Sequence, residues 1–109
     1  MKFNNAKEVF ERMPESFDSE AAEGVNVVYQ FNINDATPAD YTVKIKDGAL
    51  EVSAGVHENP TLNLSMSAEN WLKLVEGKLN PAMAFMSGKI KAKGDLFVAQ
   101  KFGTYFKLS

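Results

Sequence analysis

The sequence predicts an α+β domain: a five-stranded, mainly antiparallel or mixed sheet covered on one face by about five helices. Two observations carry this. Apolar residues recur every third or fourth position over residues 6–13 and again after Ser67, but every second position from Val25 to Met66. No repeat, linker or low-complexity segment divides the 109 residues, which make one domain, 1–109.

Each element follows from its own pattern. Ala6, Val9, Phe10 and Met13 form one apolar stripe, with Asn5 as cap and Glu8 as the returning partner. Pro14 is expected to end this helix, and a second short one is expected from Pro14 to Glu23, stopped by Gly24. Val25, Val27, Tyr29, Phe31 and Ile33 then alternate with Asn26, Val28, Gln30 and Asn32. Tyr41, Val43 and Ile45 point inward, while Thr42, Lys44 and Lys46 face water. Asp47-Gly48 predicts a type I′ hairpin leading to Leu50, Val52 and Ala54. Leu62, Leu64 and Met66 make the fourth strand. Ser67 caps a helix carrying Ala68, Trp71, Leu72 and Val75, and Asn80-Pro81 starts another that ends at Gly88. Lys89 to Lys93 forms the last strand, Ile90 and Ala92 inward, and Gly94-Asp95 leads into a closing helix from about Leu96 to Tyr105.

Composition removes several classes of function. A net charge of -2 lacks the basic excess that phosphate neutralisation demands, so no nucleic-acid partner is expected. With Cys 0 and His 1 there is no thiol nucleophile, disulfide or multi-histidine metal site. No apolar run approaches the roughly 20 residues of a membrane span, and Met1-Lys2-Phe3 opens no signal peptide. A cytoplasmic protein without cofactor is the expectation. His57, in the loop with Glu58 and Asn59, reads as a solvated loop histidine, and turn chemistry explains Asp35 and Asp40 around Pro38. No catalytic residue is assigned, and an enzyme is not expected. Lys89, Lys91 and Lys93 read first as edge protection and second as a contact for anionic head groups.

The later helices are apolar over more than one stripe. Leu96, Phe97, Val98, Ala99, Phe102, Tyr105 and Phe106 exceed the face that a surface helix needs to bury. The surplus suits a cavity lining, a packed core or a protein partner. Phe 8 and Met 5 are a heavy load for a small core, and methionine adapts to irregular apolar shapes.

From Trp71 onward the sequence resembles the sterol carrier protein type 2 family. The residues that carry the likeness are Trp71-Leu72-Lys73-Leu74, Gly77-Lys78-Leu79-Asn80-Pro81, Ala84-Phe85-Met86-Ser87-Gly88 and Lys89-Ile90-Lys91-Ala92-Lys93-Gly94-Asp95. Val9-Phe10, Val27 to Phe31, Asp47-Gly48 and Leu62 to Met66 agree in outline, so the likeness spans the chain. The resemblance implies an apolar tunnel between sheet and helices, and a fatty acid, fatty acyl-CoA, sterol-like or isoprenoid ligand carried without catalysis. On the helices with surplus apolar area, Trp71, Val75, Met83, Met86, Val98 and Phe102 are the expected lining. The closing helix is the expected opening element, because a chain end can peel away from the sheet. Two departures from animal peroxisomal members point to a stand-alone, bacterial-like one. Lys107-Leu108-Ser109 is no peroxisomal address, and Gly103 stands where those members place a polar, ligand-facing residue. A protein-interaction or dimerisation module, a quinone-lipid handling factor, a homodimer and a transient membrane-surface contact stay open.

Overall fold

A computed structural model describes residues 2–107; the reading of the chain's end at Leu108 and Ser109 lies outside them. Helix α1 (Ala6–Ser16) is followed by strands β1 (Asn26–Ile33), β2 (Asp40–Lys46), β3 (Ala49–Ala54) and β4 (Leu62–Met66). Then come α2 (Ala68–Val75), α3 (Pro81–Met86), β5 (Lys91–Gly94) and α4 (Leu96–Tyr105). The sheet order is β3-β2-β1-β4-β5, with β1 parallel to β4 and every other pair antiparallel. The fold class is the α+β mixed sheet expected.

Helix α1 forms where the apolar stripe places it. The Asn5 side chain accepts from the Glu8 N–H at 2.9 Å, while the Glu8 carboxylate accepts from the N–H of Asn4 rather than Asn5. Ala6, Val9, Phe10 and Met13 are buried. Pro14 does not end the helix. It lies in the last turn, where its missing N–H costs one hydrogen bond and two further residues stay helical. The helix expected over residues 14–23 is absent, leaving four helices among the described residues. After Ser16 the segment buries only Ala22 fully, too little apolar face to hold a helix, and turns carry it instead. The Asp18 carboxylate accepts from the Ala21 N–H at 3.1 Å, and the Asp47 carboxylate from the Gly24 N–H at 2.8 Å. Asp47 and Gly48 both have positive φ, 45° and 80°, as the hairpin type requires.

The inward parity of the sheet holds: Phe31, Val43, Leu64 and Ile90 are buried, while Lys89, Lys91 and Lys93 are exposed. Ile90 sits just before β5 rather than inside it. The opposite face is less open than the alternation suggests, and Thr42 does not face water. Gln30 and Thr42 are buried there under the loop that starts at Gly55. The Gln30 amide donates to the carbonyls of Tyr41 and Gly55, at 3.1 and 3.0 Å. Its oxygen accepts from the Thr42 hydroxyl and from the His57 N–H at 2.7 Å. One glutamine thus fastens a loop to the back of the central strand.

That arrangement separates two substitutions in the same loop region. Gln30→Ala strands the His57 N–H and removes the donor to the Tyr41 carbonyl, while the Thr42 hydroxyl keeps the Gly55 carbonyl at 3.0 Å, and should lower stability by about 2 kcal/mol. His57→Ala keeps its backbone N–H and should stay within about 0.5 kcal/mol of the parent. Urea unfolding of the three proteins measures both; equal losses would mean that the imidazole itself holds the loop.

Candidate functional site

The core is an aromatic cluster with a hollow beside it. Phe10 of α1 lies between Tyr41, with ring centroids 4.0 Å apart, and Trp71, at 4.9 Å. Phe31 meets Trp71 at 4.9 Å and Phe102 edge-on at 5.7 Å. Beyond this cluster is a cavity of about 290 Å³. Its floor is Phe31 of β1 with Leu64 and Met66 of β4; Phe31 and Leu64 are register partners across the parallel pair. Trp71, Leu74 and Val75 of α2 supply one wall, brought together by i, i+3, i+4 spacing. Pro81 and Phe85 of α3, Ile90, and Ala99, Gln100, Phe102 and Gly103 of α4 complete it with Phe106. Pro81, Phe85, Gln100 and Gly103 are the exposed members, so the mouth lies between α3 and α4.

Local chemistry sets each wall. The Ser67 hydroxyl accepts from the Asn70 N–H and the Asp35 carboxylate from the Ala68 N–H at 2.8 Å, a double cap on α2. Asp35 therefore does more than make its turn. The Asn80 side chain caps α3, with Pro81 at its first turn. Helix α4 starts on the Asp95 carboxylate and is tied to the central strand by the Tyr29 hydroxyl, which donates to the Val98 carbonyl at 2.8 Å. Its far end is stitched to the segment after α1. Phe17 and Phe106 form a β-bridge, the Asp18 N–H donates to the Tyr105 carbonyl at 2.8 Å, and the Lys107 N–H donates to the Ser16 carbonyl. Opening α4 from its C-terminal end would break all of these, and from its start the Tyr29–Val98 bond, beside which Leu96 and Phe97 are exposed.

The wall is chemically plain. Gln100 at the mouth and the indole of Trp71 are its hydrogen-bonding side chains, and no ionisable side chain lines it. The Trp71 N–H is buried without an acceptor in the protein, as is the Tyr41 hydroxyl. Among the described residues no group of three or more His, Cys, Asp or Glu is placed to hold a metal ion. No helix of the described residues is long and apolar enough to cross a membrane.

Of the residues singled out from sequence, the structure brings Trp71, Val75 and Phe102 together on the cavity wall. Met83, Met86 and Val98 are not part of it. Met83 and Met86 project from α3 into solvent, 68% and 89% exposed, because Pro81 and Phe85 occupy the helix face turned to the cavity. Val98 is half-buried against the core and does not reach the cavity, which its neighbours Ala99 and Phe102 line. Helix periodicity alone did not single out the floor residues Phe31, Leu64 and Met66, nor Ile90. Their inward strand parity was the available signal.

The sequence pattern that defines the SCP-2 sterol transfer family matches residues 6–107. The chain belongs to that family. The SCP-2 family is one of lipid-binding and transfer domains, and membership makes this chain such a domain at that level. It is 37% identical over 89 residues to sterol carrier protein 2 of Arabidopsis thaliana, across 76% of this chain and 71% of the relative. It is 32% identical over 100 residues to hydroxysteroid dehydrogenase-like protein 2 of Rattus norvegicus, across 91% of this chain. The chain spans only 19% of that rat protein's length, so there the SCP-2 region is part of a larger protein. The solution structure of sterol carrier protein domain 2 of Helicoverpa armigera superposes with a TM-score of 0.69 at 30% identity, covering 91% of this chain and 80% of that one.

The bond from Tyr29 to α4 can be weighed directly. Burial, and secondarily the nearby Tyr105 phenol, push the Tyr29 pKa well above its ordinary value. Because ionisation is harder in the folded state, this stabilisation is complete below about pH 10 and is lost as pH rises beyond it. Tyr29→Phe should lower stability by about 1 kcal/mol at neutral pH and flatten the alkaline loss. Thermal melts across the alkaline range provide the comparison.

Proposed function

We infer that this domain binds and transfers a lipid with an extended apolar chain, without catalysing a reaction on it. The cavity beside the aromatic cluster carries this reading, since its wall offers apolar surface and almost nothing else. Trp71, Val75 and Phe102 are the proposed ligand contacts among the residues singled out from sequence, joined by Phe31, Leu64 and Ile90. About 290 Å³ takes about ten groups at about 30 Å³ each, so part of a long chain lies inside. The rest, with the head group, leaves between α3 and α4 past Gln100.

About ten methylenes inside the cavity gain about 8 kcal/mol gross, and an association cost of about 4 kcal/mol or more leaves about millimolar affinity from them at best. Contacts of the rest of the chain and its head group at the mouth supply the remainder. Selectivity then follows chain length and shape more than charge. Fatty acid, fatty acyl-CoA, sterol-like and isoprenoid lipids differ mainly in what remains at the mouth.

Gly103 allows a test that does not threaten the fold. It is helical, lines the cavity, and a Cβ added there would meet nothing within 4 Å. Gly103→Ala should raise stability by up to about 1 kcal/mol through helix propensity and leave lipid binding near the parent's. Gly103→Phe fills the cavity from the mouth and should cut fluorescent fatty-acid affinity about tenfold or more in a folded protein. Native mass spectrometry of the parent should show copurified lipid. Unchanged affinity in Gly103→Phe would put the ligand elsewhere, and a parent that neither carries nor binds lipid would leave a protein-interaction module.

A further inference from the structure

The basic residues are unevenly placed along this acidic chain. Six of its twelve basic residues follow Gly77, where Asp95 is the sole acidic residue of fourteen. This same third builds α3 and α4, the two sides of the cavity mouth, and it holds most of the large apolar side chains left in water. Met83, Met86, Leu96 and Phe97 are 68, 89, 50 and 71% exposed. Phe97 and Lys101 share one face of α4 four residues apart, and Lys89 follows Met86 by three residues at the end of α3. Both lysines are exposed, and neither is in an ion pair among the described residues.

We propose that the rim formed by α3 and α4 docks on an anionic lipid bilayer, with Met86 and Phe97 entering the head-group layer and Lys89 and Lys101 binding its phosphates. Apolar tips beside lysines fit such a surface on both counts, because lysine stems can lie along the acyl boundary while their ammonium groups reach the phosphates. A second copy fits worse: two-fold pairing of this rim would set its lysines against each other. Docking in this orientation would open the mouth onto the membrane, a consequence that rests on the lipid-binding function proposed above.

Cosedimentation with phosphatidylcholine vesicles, with and without phosphatidylserine, tests the surface. Binding should require phosphatidylserine and weaken as salt rises from about 0.1 to 1 M, where the screening length falls from about 10 to 3 Å. Lys89→Ala and Lys101→Ala should each weaken it about fivefold, the equivalent of about 1 kcal/mol per lysine at an anionic surface. Phe97→Asp should weaken it about tenfold or more while melting like the parent, since the position is exposed. These variants should bind fluorescent fatty acid in solution as the parent does, so loss of vesicle binding is read apart from loss of the cavity ligand. A parent that sediments equally with pure phosphatidylcholine, or variants that sediment like the parent, would overturn the proposal. So would a lipid-free dimer that Phe97→Asp dissociates, which would assign the rim to a second copy.

Discussion

Strand β1 is paired along both edges, antiparallel to β2 and parallel to β4, and is buried on both faces at its centre. A strand in that position cannot send any central side chain to water, so each must find its partner inside the protein. Three consecutive residues do so in alternating directions. Tyr29 reaches up to the Val98 carbonyl of α4, Gln30 reaches down to Thr42, Gly55 and His57, and Phe31 packs against Trp71 and Phe102. The closing helix, the back loop and the cavity floor are all positioned from this one place.

The hollow beside Phe31 is a consequence of how the helices are held. Helices α1 and α2 are held together through the stack of Phe10 between Tyr41 and Trp71. Helix α3 buries only Ala84 fully and turns Phe85 to the hollow, while α4 is tied at its far end by the contacts of Phe17, Asp18 and Ser16. Short, lightly anchored helices on one side and a rigid aromatic wall on the other leave room for a flexible apolar guest. Local motion is cheapest where few apolar contacts and exposed side chains coincide, which is at α3 and the start of α4.

Such a design has little use for ionisable groups near the ligand. A charged side chain in that apolar wall would need its own partner, and the buried polar atom that is present there, the Trp71 N–H, already lacks one in the protein. Charge is kept on the surface, where it can act on partners at a distance without disturbing the interior. The family relationship fits this division of labour, since in the rat relative the same region spans only 19% of a longer protein.

Much of the architecture was legible in the amino-acid order, because local rules sufficed there. Alternation at Leu62, Leu64 and Met66, the Asp47-Gly48 turn and the caps at Asn5, Ser67, Asn80 and Asp95 depend on neighbours within a few residues. The segment after Pro14 misled, because whether it is helical turns on long-range bonds from Asp18 and Ser16 to Tyr105 and Lys107. For the cavity, surplus apolar area on α2, α3 and α4 was visible, but not its direction. Met83 and Met86 go to solvent while Phe85 goes to the hollow, and Phe31 and Leu64 become its floor, only once β1 and β4 pair in parallel and the helices settle over them. Periodicity says which residues share a face; which face meets empty space is set by packing between elements far apart in the chain.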